Sequence, residues 1–228
     1  MPILSQSHGK LGYRRNQTYA FARDLPAVPL IADEMPRAQG DFPIVFTPAP
    51  PHMPVALLGG SVGNAFIDES GAWTRGRYLP AYLRRYPFAL VRDKADSERM
   101  VLCADLSAEG FFETDGAQVG CLFDEVVPSE RLNKILKFCE TYESGLVKTR
   151  RLCEELNALD LFENSRVTLH HRGGKKIKLE GFMMIQEEKL REQSDAVLAG
   201  LVRRGVAGLI AAHHFSLAQF SALDAVQK

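Results

Sequence analysis

Six histidines and four cysteines are the side chains of this 228-residue chain best suited to hold a metal or to move a proton. The histidines are His8, His52, His170, His171, His213 and His214. Neighbouring side chains on a strand point to opposite faces, so His170 and His171 do not converge on one ion. Neighbours on a helix stand about 100° apart, so His213 and His214 chelate poorly. The chain has no His-Glu-x-x-His pair for zinc and no His-x-Asp/Glu set for iron. Surface or helix-end positions are therefore expected for the histidines. Cys103, Cys121, Cys139 and Cys153 form no Cys-x-x-Cys and have no histidine at a zinc interval. They read as reduced, structural thiols. Neither a metal nor a cofactor is expected.

Acid–base chemistry would need carboxylates paired in space. Asp33-Glu34, Asp124-Glu125 and Glu187-Glu188 are adjacent in sequence, which says nothing about such pairing. A phosphate loop would need a Lys-Ser/Thr ending or Gly-x-Gly-x-x-Gly running into a helix. Gly59-Gly60-Ser61-Val62-Gly63-Asn64 has neither and reads as a loop with glycines at positive φ. No set of residues is read as a catalytic centre.

Recognition chemistry is better represented. Trp73, Arg75, Arg77, Tyr78, Tyr82, Arg84, Arg85, Tyr86 and Phe88 fall within sixteen residues. Trp, Tyr and Arg dominate binding hot spots, and the planar guanidinium suits bidentate capture of carboxylate or phosphate. The alternative is a segment whose aromatics fill the core while its arginines face water. The candidate binding residues are Arg37, Trp73, Tyr78, Tyr82, Arg84, Arg85 and Tyr86. The expected occupant is a protein partner or a small anionic ligand, with homo-oligomerisation left open. A competing reading is an enzyme acting on a small anionic substrate through Asp24, Arg37, Arg84 and similar residues.

Lys+Arg and Asp+Glu are both 28, a net charge of zero. That balance argues against nucleic acid as the partner, which requires excess positive charge. Met1–Asn16 lacks the apolar core of a secretory signal, and Val206–Ala212 is far shorter than the ~20 residues that span a bilayer. A cytoplasmic protein without membrane insertion is the expectation.

The elements that must position these residues follow from proline and periodicity. An N-terminal arm over 1–18 precedes a single domain over 19–228. The class is α+β: short antiparallel strands in the N-terminal half, a long amphipathic helix, a β-hairpin and C-terminal helices. Tyr19–Arg23, Val28–Ala32, Phe42–Thr47 and Val55–Leu58 are short apolar runs cut by Pro26, Pro29, Pro36 and Pro43, which suits strands and forbids long helices. Thr47–Pro54 reads as an extended, exposed Pro-rich loop, and Asp68–Gly71 as a turn between strands. Pro80 opens a short helix that Pro87 ends. Phe88–Val91 and Met100–Cys103 pair as a hairpin. Ser129 caps a helix reaching about Leu159, with Leu132, Ile135, Leu136, Cys139, Tyr142, Leu146, Cys153 and Leu156 on one face. Arg166–His171 and Ile177–Ile185 flank Gly173-Gly174 as a second hairpin. Ser194–Val226 is helical with breaks at Gly205–Gly208 and a restart capped by Ser216.

In Tyr19–Leu30, Glu34–Ala38, Asp41–Phe46, Pro54–Gly59, Tyr78–Phe88, Leu102–Asp105, Leu179–Phe182 and Glu187–Leu190 the chain resembles the bacterial SapC-like family. Met35 stands where the family usually has an aromatic. The family is named for an association with a bacterial surface layer, and a peptide-transport permease sharing the name is a different, membrane-spanning protein. Genes of that family tend to sit beside those for TonB-dependent uptake systems and for cupin-like or halogenase-like proteins. A non-catalytic binding or accessory protein working with such neighbours is expected from the absent catalytic centre, the neutral charge and the aromatic–arginine segment. The resemblance carries over no catalytic residues.

Overall fold

The computed structural model describes residues 1–15, 18–59, 63–93, 96, 98–114, 120–170, 176–221 and 223. In chain order the elements begin with α1 (Ser5–His8), β1 (Leu11–Tyr13), β2 (Ala27–Pro29), α2 (Met35–Ala38), β3 (Ile44–Phe46) and β4 (Pro54–Leu57). They continue with α3 (Ala81–Arg84), β5 (Phe88–Arg92), β6 (Met100–Ala104), β7 (Phe111–Glu113), β8 (Phe123–Asp124) and β9 (Val127–Pro128). The long helix α4 (Glu130–Ala158) is followed by β10 (Phe162–His170), β11 (Lys176–Ile185), α5 (Glu187–Arg191), α6 (Asp195–Arg203) and α7 (Val206–Ser216). The chain is α+β, as its patterning indicates.

Two compact units divide it: Met1–Gln17 with Leu83–Ser144, and Thr18–Tyr82 with Gly145–Lys228. Residues 1–15, part of the 1–18 stretch read from sequence as an arm, are built into the first unit. There β1 pairs antiparallel with β7, and Ile3 N–H donates to Leu102 C=O at 2.9 Å. Gly12 lies where β1 passes over Phe112, and a Cβ would come within 2.4 Å of that ring. The hairpin β5–β6 forms as its apolar runs indicate, pairing Phe88 with Ala104 through Arg92 with Met100. Ile3, Tyr13, Phe88, Leu122, Phe123, Leu132 and Cys139 make this unit's core. Tyr13 meets Phe88 edge-on at 4.9 Å, the offset geometry that aromatic quadrupoles favour.

In the second unit β10–β11–β3–β4–β2 form a five-stranded antiparallel sheet. The tip of the β10–β11 hairpin, with Gly173 and Gly174, lies outside the described residues. Val28, Ile44, Val45, Phe46, Ala56 and Leu58 are buried. Tyr19–Arg23, expected as a strand, instead holds a 3-10 turn at Ala20–Ala22: Arg23 N–H returns to Ala20 C=O, and no neighbouring strand supplies a ladder there. Thr47–Pro54 is folded back on itself and not extended. Thr47 N–H donates to Met53 C=O, Met53 N–H to the Thr47 hydroxyl, and His52 is buried with its Nδ1 at 2.9 Å from Thr47 C=O.

The helix α4 spans 29 residues. The Ser129 hydroxyl accepts Leu132 N–H at 3.3 Å, the N-cap bond its sequence position suggests. Leu132, Cys139, Tyr142, Cys153 and Leu156 are buried, whereas Leu136 and Leu146 are half-buried. Gly145 is tolerated mid-helix because Ile31 packs on it: a Cβ there would lie 2.7 Å from Ile31 Cδ1. One turn on, the Thr149 hydroxyl donates to Gly145 C=O and accepts Ala32 N–H, both within the second unit.

The C-terminal helices form as expected, with Ser194 capping α6 and Gly205 at φ 75° separating it from α7. Ser216 does not cap a new helix. Its hydroxyl accepts Ile44 N–H at 2.9 Å, buried against the sheet. His213 is fully buried beside it. Its Nδ1–H donates to Ile44 C=O at 2.7 Å and its Nε2 accepts Ile185 N–H at 3.2 Å, while His214 Nε2 donates to Ile185 C=O at 2.9 Å. Among the described pairings β3 meets β11 only at Phe46–Met183, so these side chains take over backbone groups that the ladder leaves unpaired.

Candidate functional site

Around α3 the chain changes from apolar to cationic within a few residues, and in the first unit those cations meet a cavity. Arg84 ends α3, Arg85 and Tyr86 follow it, and Phe88 opens β5. From α4 come Glu130, Arg131, Lys134, Ile135, Phe138 and Cys139, spaced by threes and fours and so presented on one stripe. Tyr13 and Arg15, at the end of β1 and just past it, complete the lining. The cavity is open to solvent on one side and has a volume of about 660 Å³, inside the roughly 300–1000 Å³ typical of small-molecule sites.

The charge of this lining is one-sided. Arg15, Arg84, Arg85, Arg131 and Lys134 stand against one lining carboxylate, Glu130. Arg84 Cζ lies 5.3 Å from the Phe138 ring centroid and Arg85 Cζ 5.0 Å from that of Tyr142. Stacking of this kind holds a guanidinium by its face and is compatible with in-plane donation to an anion. Arg131 donates to Tyr13 C=O at 3.3 Å. Lys134 pairs with Glu130 at 2.6 Å and lowers the glutamate's pKa, yet both ends are solvent-exposed, so this pair contributes little. The Tyr86 hydroxyl donates to Asp105 Oδ2 at 3.0 Å; burial and then that carboxylate raise the phenol's pKa, keeping it a donor.

The lining residues differ in exposure. Tyr13, Phe88 and Cys139 are buried; Arg84, Arg85, Ile135 and Phe138 are half-buried; Arg15, Arg131 and Lys134 are exposed. Burial pushes the Cys139 thiol up to about 11, with Arg85 pulling it back only in part. The thiol is protonated at neutral pH and is no nucleophile. Cys153, in the other unit, is likewise pushed up to about 12. Among the described residues no group of three or more His, Cys, Asp or Glu is placed to hold a metal ion. The lining is rich in cationic donors.

The residues singled out in sequence divide between the two units. Arg84, Arg85 and Tyr86 line the cavity. Arg37, Trp73, Tyr78 and Tyr82 belong to the second unit, as does Asp24. Trp73 packs with Phe66, Tyr19 and Phe42 at centroid distances of 5.8, 6.1 and 6.2 Å. Tyr78 donates its hydroxyl to the buried Glu34 at 2.7 Å, where Ala81 N–H and Ile31 N–H also bind. Arg37 is exposed in the last turn of α2, and Tyr82 is half-buried in α3. Trp73 is thus half-buried among aromatics, whereas Arg84 and Arg85 line the cavity.

Sequence reasoning passed over Arg15, Arg131, Lys134 and Phe138. The last three recur at helical spacing beside the apolar stripe of α4, a signal present but hidden by attention to the apolar positions. It also passed over a spelling: Gly59-Gly60-Ser61-Val62-Gly63 matches Gly-x-Ser-x-Gly, the nucleophile elbow. Gly60, Ser61 and Val62 lie outside the described residues. The run follows strand β4, but Gly63 leads into a turn and the Ile67–Trp73 bridge, without the helix that an elbow opens. Gly63 sits at φ 89°, and a Cβ on Gly59 would fall on its carbonyl oxygen, which accounts for both glycines structurally.

The family model described as SapC matches residues 3–223, nearly the whole chain. No match is found among curated proteins or among solved structures.

Proposed function

We propose that this chain, which belongs to the SapC family, is a binding protein that holds a small anion in the arginine-lined cavity of its first unit. The observation that carries the reading is the one-sided lining, Arg15, Arg84, Arg85, Arg131 and Lys134 against Glu130, in a chain whose net charge is zero. Five cations to one carboxylate in a single lining is the electrostatic pattern of an anion site. The protonated Cys139 thiol supports binding over covalent chemistry. An accessory role beside uptake systems, with which genes of the family are associated, suits such a protein.

The double change Arg84→Lys with Arg85→Lys tests it. Lysine keeps the charge but lacks the planar fork and the stacking on Phe138 and Tyr142. Calorimetric titration with phosphate and a panel of carboxylates is expected to give at least about tenfold weaker binding, while loss of two cation–π contacts costs only ~1–2 kcal/mol of stability. Absence of any anion binding by the parent chain overturns the proposal. Unchanged affinity in the variant removes the arginine pair from the site.

A further inference from the structure

The lining of the cavity is part cationic and part apolar, and that mixture constrains what fits. Its cationic residues Arg15, Arg131 and Lys134 are exposed at the rim, and Arg84 and Arg85 are half-buried. Apolar groups share the lining with them. Ile135 and Phe138 are half-buried, so each still has apolar surface to offer an occupant, beside the buried Tyr13 and Phe88. An inorganic anion would use the cations alone. It would leave that apolar surface wet and most of about 660 Å³ filled with water. Pockets for small organic molecules are built the other way, with apolar walls and a few convergent polar groups that orient one end.

We infer that the natural occupant is an amphipathic organic anion, an apolar and preferably flat body seated on Ile135, Phe138, Tyr13 and Phe88, with one anionic headgroup at the arginine-rich rim. This rests on the anion-binding reading above and adds the body to it. Carboxylate and phosphate heads share the recognition chemistry, because guanidinium forks serve both. Flatness follows from the aromatic content of the lining, since rings pack best against rings in offset or edge-on geometry.

The experiment is a calorimetric comparison on the full chain at fixed ionic strength. The ligands are 1-naphthylacetate, 1-naphthyl phosphate, the neutral 1-naphthylacetamide, acetate and inorganic phosphate. The naphthyl anions are expected to bind at least about tenfold tighter than acetate and phosphate, a gain that covering some 60 Å² of apolar surface supplies. The tighter of the two identifies the headgroup. The amide is expected to bind at least about tenfold more weakly than naphthylacetate, reflecting the lost charge-assisted bonds. The double change Arg131→Gln with Lys134→Gln, made on the exposed side of α4, is expected to narrow the gap between naphthylacetate and its amide. Inorganic phosphate binding as tightly as naphthyl phosphate overturns the inference while leaving the anion site standing. Failure of every anion overturns both. Equal binding of naphthylacetate and its amide shows an apolar pocket that ignores the headgroup, and overturns both as well.

Discussion

One imidazole joins two strands of the second unit's sheet, and it does so only in its neutral form. His213 donates through Nδ1 to Ile44 and accepts through Nε2 from Ile185, so a second ring proton would face the Ile185 N–H. Burial, the larger cause, pushes its pKa down to about 4, and the adjacent His214 pushes the same way. An unfolded histidine titrates near 6.5. Between about pH 6.5 and 4 the unfolded chain therefore binds a proton that the folded chain refuses, so stability is full above that window and falls as pH drops through it. The expected slope is up to ~1.4 kcal/mol per pH unit from this residue. Urea midpoints measured at several pH values across the window should fall for the parent chain. His213→Gln should be less stable at neutral pH but lose less on acidification, and parallel curves for the two would remove His213 as the cause. Sequence alone expected the histidines at the surface or at helix ends; His213 is in the last turn of α7 but fully buried. The sequence could not show that the end points into the sheet, because burial of a polar residue depends on partners supplied by Ile44, some 169 positions away.

At the scale of elements, legibility followed the strength of periodicity. The helix α4 was readable almost to the residue, since Ser129 caps it and its apolar residues recur over eight turns. The hairpin β5–β6 and the C-terminal helices were readable for the same reason, local pattern between clear breaks. The pairing of β1 with β7 was not. Two three-residue strands about a hundred positions apart carry no periodic signal, and their register is fixed by Tyr13 and Phe111 packing together at 4.9 Å. Tyr19–Arg23 misled because an apolar run of five is too short to separate a strand from a 3-10 turn. Within α4 the stripe also proves uneven in depth. Leu156 is 1% exposed, whereas Leu136 is half-buried. Leu156→Ala should therefore lower the unfolding free energy by ~2–5 kcal/mol, the range for a fully buried leucine, and Leu136→Ala by clearly less. Chemical denaturation of the two variants checks this, and an equal loss from both would mean that depth along the stripe does not govern its contribution.

The molecule as a whole carries no net charge, and that number conceals where its charge lies. A balanced total argues against a polyanion binder, because phosphate backbones reward charge summed over a face. It gives no hint of one cavity lined by five cations, which come from β1's end, from the end of α3 and the residue after it, and from α4. No window along the sequence contains them all. Only the fold of the first unit, itself built from the first seventeen residues and from Leu83–Ser144, brings them into one lining. The same contrast predicts how binding responds to salt. With zero net charge there is no long-range field to draw an anion from afar, so the electrostatic attraction is local and belongs to Arg15, Arg131 and Lys134 at the exposed rim and to the half-buried Arg84 and Arg85. Raising ionic strength from about 0.1 M to about 1 M shortens the screening length from roughly 10 Å to 3 Å, which screens the exposed cations far more than the half-buried pair. The affinity for 1-naphthylacetate should fall about three- to tenfold over that range without vanishing, and that for the neutral amide should hold or rise. Titrations at both salt concentrations decide the matter: no salt dependence for the anion would mean that the rim cations take no part, and complete loss would mean that Arg84 and Arg85 contribute nothing beyond screened charge.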